Sequence, residues 1–295
     1  MTARNKKTTG DVVILIILLL SVAICLIPLL NTLAISLSDK VSAQNGRVFV
    51  WPVNFTINPY EQLIQDAQFF RSFLISIERV LLGGFINVML IIVTAYPLSK
   101  TKQQFNAKNR YMWLFIFLMM FPPTLIPSYV VVTKLRLINT IWALVLPGAL
   151  NIFSCIVLMN FYKTIPSSLE EAAEIDGGGP WYILLRIYIP LSKASIAVVA
   201  LWSIVGHWND FFSGLIYITD HSKWPLQTYI QSLTVSINAQ NMANMSGSDI
   251  AKLMQVSNLT FNSAKVIVSL IPILCIYPFI QRYFVTGIVM GAVKE

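Results

Sequence analysis

The chain has 295 residues, of which 56% are hydrophobic and only 12% are charged, and its mean hydropathy is +0.69. Soluble domains carry about 25% charged residues, so this chain has too little polar surface to cover its apolar residues in water. The composition excludes a disordered chain and a disulfide-rich secreted scaffold, and it indicates an integral membrane protein.

The net charge of +8 does not indicate a nucleic-acid-binding protein. The lysines and arginines stand in short clusters between apolar runs, as they do at the ends of membrane spans, and they form no basic face. Cys25, Cys155 and Cys275 each lie in a long apolar run without metal-ligand spacing, so we expect buried free thiols and no metal site.

Six segments are long and apolar enough to cross a bilayer as helices. The predicted spans cover residues 12–36, 72–99, 111–133, 137–162, 194–219 and 263–283. The first follows Lys6 and Lys7, but it is too long for the apolar core of a signal peptide, so we expect it to be retained. The predicted fold is an all-α polytopic membrane protein, with residues 1–10 as an N-terminal segment and residues 11–295 as a single transmembrane domain.

The distribution of positive charge predicts that both termini are cytoplasmic. The short loop at 99–110 carries Lys100, Lys102, Lys108 and Arg110, which marks it as a cytoplasmic loop. Two long connections, at 39–70 and 220–262, are then external. They are either docking surfaces for an external partner or solvated linkers.

The predicted cytoplasmic loop at 163–193 begins with a short acidic helix. Ser168 and Glu171 have the spacing of a capping box, which predicts a helix that begins near Leu169. The acidic residues at 170, 171 and 174 favour the positive end of that helix.

A hinge and a second helix follow in the same loop. Gly177 to Gly179 can end the first helix and permit a positive φ, and Pro180 suits the first position of a second helix that ends at Pro190. Ala172 and Ala173 give the first helix a small surface. The loop either inserts into a groove of another protein or is an ordinary interfacial loop.

This loop also carries a resemblance to a known family. Glu171-Ala-Ala, followed by Asp176-Gly177, Ile187 and Pro190, resembles the EAA loop of permease subunits in binding-protein-dependent ABC importers. Further segments resemble the carbohydrate-uptake branch of that family in its MalG-like half: residues 95–100, 208–212, 224–226, 281–288 and 291–294. The sequence departs from the family pattern at Gly178 and Ala194.

The resemblance implies a MalG-like ABC importer permease fold with no catalytic site and no cofactor of its own. It implies that the chain forms a translocation pathway with a second homologous permease in the bacterial cytoplasmic membrane. An extracytoplasmic sugar-binding protein delivers the substrate, and two ATPase subunits bind ATP and Mg. The chain itself lacks the G-x-x-x-x-G-K-[ST] pattern of an ATP site. The resemblance assigns coupling to the ATPase to Glu171, Ala172, Ala173, Asp176, Gly177 and Gly178.

The candidate substrate-pathway residues are His207, Trp208, Asn209 and Asp210. Asp210 is the one charge inside the fifth span, and an ionisable residue within a membrane is a functional candidate. Tryptophan and asparagine suit a sugar, which needs an apolar platform beside hydrogen-bonding groups. The alternatives are that Asp210 pairs with the partner permease and that His207 is structural. We interpret Glu78 and Arg79 as a local ion pair at the membrane edge.

Two other function classes remain. A membrane enzyme needs a convergent catalytic set, and the two histidines of this chain show no such cluster. A stand-alone secondary carrier or channel usually shows internal repeats and more charge within its spans. The resemblance favours a sugar importer, and within it the branch that handles larger oligosaccharides such as pectin-derived glycans.

Overall fold

The computed structural model describes residues 9–240 and 259–292, and these contain helices and turns but no strand. Three helical segments are long and apolar enough to cross a membrane: Gly10–Ser36, Ala67–Ser99 and Leu259–Ile276. Three bent pairs raise the number to six: Lys108–Met120 with Leu125–Lys134, Ile152–Tyr162 with Ser167–Ile175, and Pro180–Leu191 with Lys193–Asn209. The all-α fold with up to six spans is therefore confirmed, while the side on which the termini lie stays a prediction.

The chain divides into two compact units, which we describe separately: Met1–Phe69 with Ser232–Ile271, and Phe70–Gln231 with Pro272–Glu295. The first unit contains α1 (Thr9–Ser36), α2 (Lys40–Gln44) and α3 (Asn58–Gln65). The apolar side chains of α1 are exposed all around the helix, as expected of a helix that faces lipid. Asp39 caps α2 by accepting hydrogen bonds from the backbone N–H groups of Val41 and Ser42.

The remaining helices follow in chain order. They are α4 (Ala67–Ser99), α5 (Lys108–Met120), α6 (Leu125–Lys134), α7 (Ile141–Val145), α8 (Ile152–Tyr162), α9 (Ser167–Ile175), α10 (Pro180–Ile183), α11 (Ile189–Leu191), α12 (Lys193–Asn209), α13 (Phe212–Tyr217), α14 (Leu226–Gln240) and α15 (Leu259–Ala292). A π-helical turn, Leu184–Tyr188, joins α10 to α11, and a 3₁₀ turn, His221–Lys223, precedes α14.

The third, fourth and fifth predicted spans are each broken into two helices. Pro122 and Pro123 lie in the break between α5 and α6, and Pro147 and Gly148 lie in the break between α7 and α8. Proline lacks the N–H that continues a helix, so breaks at these positions are expected. The break between α12 and α13 follows Asp210, whose side chain binds Ser213 at the start of α13.

The main core of the second unit packs the C-terminal half of α4 against α8 and the segment that follows α9. Its fully buried members include Ile91, Ala95, Leu158 and Ile183. Cys155 is buried in this core as expected, but Cys25 and Cys275 are exposed, so the expectation of a buried thiol was wrong for these two. Both lie on membrane-span helices, where an apolar side chain can face lipid. Within the described ranges, no group of acidic, histidine and cysteine residues is placed to hold a metal ion.

Candidate coupling loop and translocation cavity

Helix α9 begins at Ser167, two residues before the start near Leu169 that the capping-box interpretation predicts. Ser168 lies inside the first turn, and no side-chain cap hydrogen bond is present, so the predicted capping box was wrong. Pro166 supplies the boundary instead, because its backbone is extended at φ −59° and ψ 130° and leads directly into the helix.

The predicted hinge is present. Gly177 has a φ of +81°, which a residue without a Cβ adopts freely, and it ends α9. Gly178 donates a 2.7 Å backbone hydrogen bond to the carbonyl of Ala173. A Cβ on Gly178 would lie 2.8 Å from that oxygen, so this hinge accommodates glycine at position 178, and any residue with a Cβ would require the backbone to shift.

The second helix of the loop starts at Pro180 as predicted, but it does not end at Pro190. The π-helical turn carries the chain past this proline, with the N–H of Ile189 bound to the carbonyl of Leu184. Since Pro190 then stands near the start of α11, its missing N–H breaks no hydrogen bond of that short helix.

The two faces of α9 differ in burial. Glu171, Ala172, Asp176 and Gly177 are exposed, whereas Ala173 is only 8% exposed and belongs to the main core. The small side chain of Ala173 therefore permits close packing within this chain, and its role in coupling stays a prediction. The roles of the exposed residues in coupling stay predictions.

Glu170, next to Ala173 on the inner face, is buried in a polar cluster that the sequence did not reveal. Its carboxylate lies 2.6 Å from the Lys100 ammonium and accepts a 2.8 Å hydrogen bond from the Tyr188 hydroxyl. The ammonium also lies over the rings of Tyr96 and Tyr188, at 4.1 and 4.3 Å from their centroids. Burial lowers the pKa of Lys100, and the hydrogen bond and charge of Glu170 act in the opposite direction.

Asp210, which is partly buried, forms an ion pair with the buried side chain of Arg79, 131 residues away in sequence. The Arg79 guanidinium also donates to the backbone carbonyls of Asp210, at 2.7 Å, and of Leu144, at 3.3 Å. Arg79 is 1% exposed, while Glu78 is exposed, so the predicted local Glu78–Arg79 pair was wrong. Neighbouring residues on a helix do not face each other, and Arg79 points inward from α4.

A cavity of about 190 Å³ lies beside this ion pair. The structure brings two of the four pathway candidates, His207 and Asp210, to its wall. Trp208 is buried against the ring of Phe73, at 5.7 Å between centroids, and Asn209 is exposed, and neither lines the cavity. The substrate role of all four stays a prediction.

Sequence reasoning missed most of the polar cavity wall, which includes Asn87, Asn151, Trp202 and Ser203. Asn87 donates to the carbonyls of Gly148 and Ala149 in the break between α7 and α8. Asn87 could have been found from the sequence, because it is the single asparagine inside the second predicted span and a polar residue within a membrane needs a polar partner. For the other lining residues, the sequence does not determine which side of the segment turns toward the cavity.

We expect Gly83→Ala to displace His207 from the cavity wall. A Cβ on Gly83 would lie 2.6 Å from the imidazole of His207, and overpacking of this kind typically costs about 1–3 kcal/mol. Substrate uptake and the thermal stability of the purified protein should both fall. Gly84→Ala is the matched control, since its Cβ would have its nearest neighbour, Ile204, at 3.9 Å. Equal behaviour of the two variants would contradict this placement of His207.

The comparisons with known proteins agree with the fold and with the resemblance to ABC importer permeases. Residues 87–290 match the family model described as "Binding-protein-dependent transport system inner membrane component". The chain is 33% identical over 290 residues to the polygalacturonan/rhamnogalacturonan transport system permease protein YtcP of Bacillus subtilis (strain 168), with 98% of this chain and 99% of that protein covered. It is 35% identical over 272 residues to protein LplC of the same organism, with 92% and 90% covered.

A solved structure is also similar. It is a crystal structure of a bacterial ABC transporter involved in the import of the acidic polysaccharide alginate, one chain of which matches with a TM-score of 0.82 and 27% identity. The match covers 95% of this chain and 99% of that chain. The fold and the family model together define a permease of an ABC importer. This chain belongs to the family of inner membrane components of binding-protein-dependent transport systems, and it is a multi-pass membrane protein.

Proposed function

We propose that this chain is one of two permease subunits in an oligosaccharide importer of the bacterial cytoplasmic membrane. The second permease completes the translocation pathway, and an extracytoplasmic binding protein delivers the sugar. ATP and Mg bind to two partner ATPase subunits, and this chain holds no cofactor. The observation that carries the proposal is the outward face of α9, presented by a loop with the EAA pattern.

The outward face of α9 suits a docking contact. Glu171 and Asp176 present charge, Ala172 allows close approach, and Ile175 is 87% exposed. An apolar side chain exposed to this degree beside charged groups is typical of a contact surface with an apolar centre and a polar rim. On the inner face of α9, Ala173 packs in the main core and Glu170 pairs with Lys100. These contacts fix the position of the helix and so orient its outward face for such a contact.

The cavity supports a shared pathway. Its volume of about 190 Å³ is smaller than the ~300–1,000 Å³ of an ordinary ligand site, as expected if a second permease supplies the opposite wall. Its asparagine and serine side chains and Trp202 offer the hydrogen-bonding groups and the aromatic platform that a sugar ring needs. The relatives named for polygalacturonan, rhamnogalacturonan and alginate transport support a pectin-derived or related acidic oligosaccharide as the substrate.

Purification of the tagged chain in mild detergent tests the proposal. We expect a second permease and an ATPase with a P-loop motif to purify with it. Vesicles containing this complex and its binding protein should take up oligosaccharide only when ATP is supplied. A chain that purifies alone and transports without ATP would overturn the proposal in favour of a stand-alone carrier or channel.

A further inference from the structure

Helix α4 is associated with two buried positive charges, one within the helix and one just after its C-terminal end. Arg79 lies inside the helix, and Lys100 follows its last residue, Ser99. At about 1.5 Å per residue, the two positions are about 31 Å apart along the helix axis. The Arg79 end binds Asp210 beside the cavity, and the Lys100 end binds Glu170 of α9.

The Lys100 ammonium joins three parts of the chain at one point. It pairs with the Glu170 carboxylate of α9, and the carboxylate of Glu174 on the same helix also lies near enough to act on its charge. It also contacts the Tyr188 hydroxyl at 3.1 Å, and Tyr188 belongs to the π-helical turn after the hinge. Since Tyr188 donates to Glu170 as well, the helices on both sides of the Gly177 hinge are tied to the end of α4.

Burial makes this contact hard to break. The side chains of Lys100 and Glu170 are only 10% and 8% exposed. Separating two such charges leaves each unpaired in a poorly solvated interior, which is much more costly than separating an exposed pair. A displacement of α9 therefore either carries α4 with it or has to break this ion pair.

We propose that Lys100 and Glu170 are positioning residues that make α4 move with the coupling helix α9, so that motion at the ATPase contact reaches the Arg79–Asp210 pair at the cavity. This inference rests on the proposed function. It separates the acidic residues of α9 into two groups. Glu171 and Asp176 face outward, whereas Glu170 transmits motion within the chain.

The test measures sugar uptake and ATP hydrolysis in the same vesicles, which contain the complete complex and its binding protein. Lys100→Met and Glu170→Gln each remove one partner of the ion pair. We expect both variants to retain the ATPase and to hydrolyse ATP, but to import about 5–150-fold less sugar per ATP, the usual range of coupling between sites. Lys100→Arg keeps the charge and the contact with the rings, and it should restore most of the coupling.

Lys102→Met is the matched control, because Lys102 is exposed two residues away. It should leave the sugar imported per ATP unchanged. The inference would be overturned if Lys100→Met and Glu170→Gln imported the wild-type amount of sugar per ATP. It would also be overturned if their uptake fell only in proportion to the amount of assembled complex. Failure of the proposed function is a different result, because the wild-type chain would then purify without an ATPase.

If the single variants do not accumulate, the double variant Lys100→Met/Glu170→Met replaces them. Removing both charges leaves neither unpaired, and apolar replacement of a buried pair often preserves stability. We expect this variant to assemble and to be uncoupled. Import by the double variant with the wild-type ratio of sugar to ATP would overturn the inference.

Discussion

Arg79→Met is expected to destabilise the protein by about 1–3 kcal/mol, because it leaves the partly buried carboxylate of Asp210 without its counter-charge. The variant also removes the donors to two backbone carbonyls, those of Leu144 and Asp210. These contacts join α4 to α7 and to the break between α12 and α13. Their loss should lower both the amount of the chain in the membrane and the thermal stability of the purified complex.

Arg71→Met provides the matched control for this prediction. Arg71 lies on the same helix but is exposed, so the substitution should change stability little. Asp210→Asn should also lower stability, because it leaves the buried Arg79 guanidinium without a counter-charge, although the amide oxygen can still accept hydrogen bonds from Ser213. Equal stability of Arg79→Met and Arg71→Met would contradict the importance of the Arg79–Asp210 pair.

Ala172→Asp is expected to abolish ATP-driven uptake while leaving the chain inserted. Ala172 is exposed on the outward face of α9, so the new carboxylate disturbs no packing within the chain. In a close contact with the ATPase, an unpaired charge costs about 2–5 kcal/mol of binding free energy. This is at least about 25-fold in affinity, and it is measured as the fraction of ATPase that purifies with the chain.

Ala173→Asp is the comparison variant that distinguishes a docking defect from a folding defect. Ala173 is the next residue in the chain, but it lies in the core. An aspartate there would be buried without a partner, so the chain itself should fail to accumulate. The two neighbouring substitutions are thus expected to fail at different steps. The assignment of Ala172 to the outward face and Ala173 to the inner face would be contradicted if Ala172→Asp removed the chain from the membrane while Ala173→Asp left it inserted.

The fold was predictable where local sequence determines structure. The apolar runs predicted the spans, and Gly177 predicted a hinge with positive φ, while prolines in the sequence account for the breaks after α5 and α7. The capping box was wrong because Pro166 already provides the helix boundary. Local pattern recognition cannot decide between two plausible helix boundaries that are only two residues apart.

The polar contacts of the candidate sites were not predictable from local sequence. The pairing of Arg79 with Asp210 spans 131 residues and depends on how helices pack. Spacing predicts that Glu170 and Ala173 share a face of α9, since residues three apart are neighbours on a helix. It does not predict that this face turns inward, which requires Lys100 and Tyr188 to lie there.

Site-specific photo-crosslinking from α9 tests the central claim most directly, namely that the outward face of this helix contacts the ATPase. A photoreactive residue replaces Ile175, which is 87% exposed, or Ile183, which is 1% exposed and serves as the control. Within the purified complex, position 175 should give an adduct with a subunit that carries a P-loop motif, and position 183 should give none. The absence of this adduct from position 175, in a complex that contains the ATPase and transports sugar, would contradict the account.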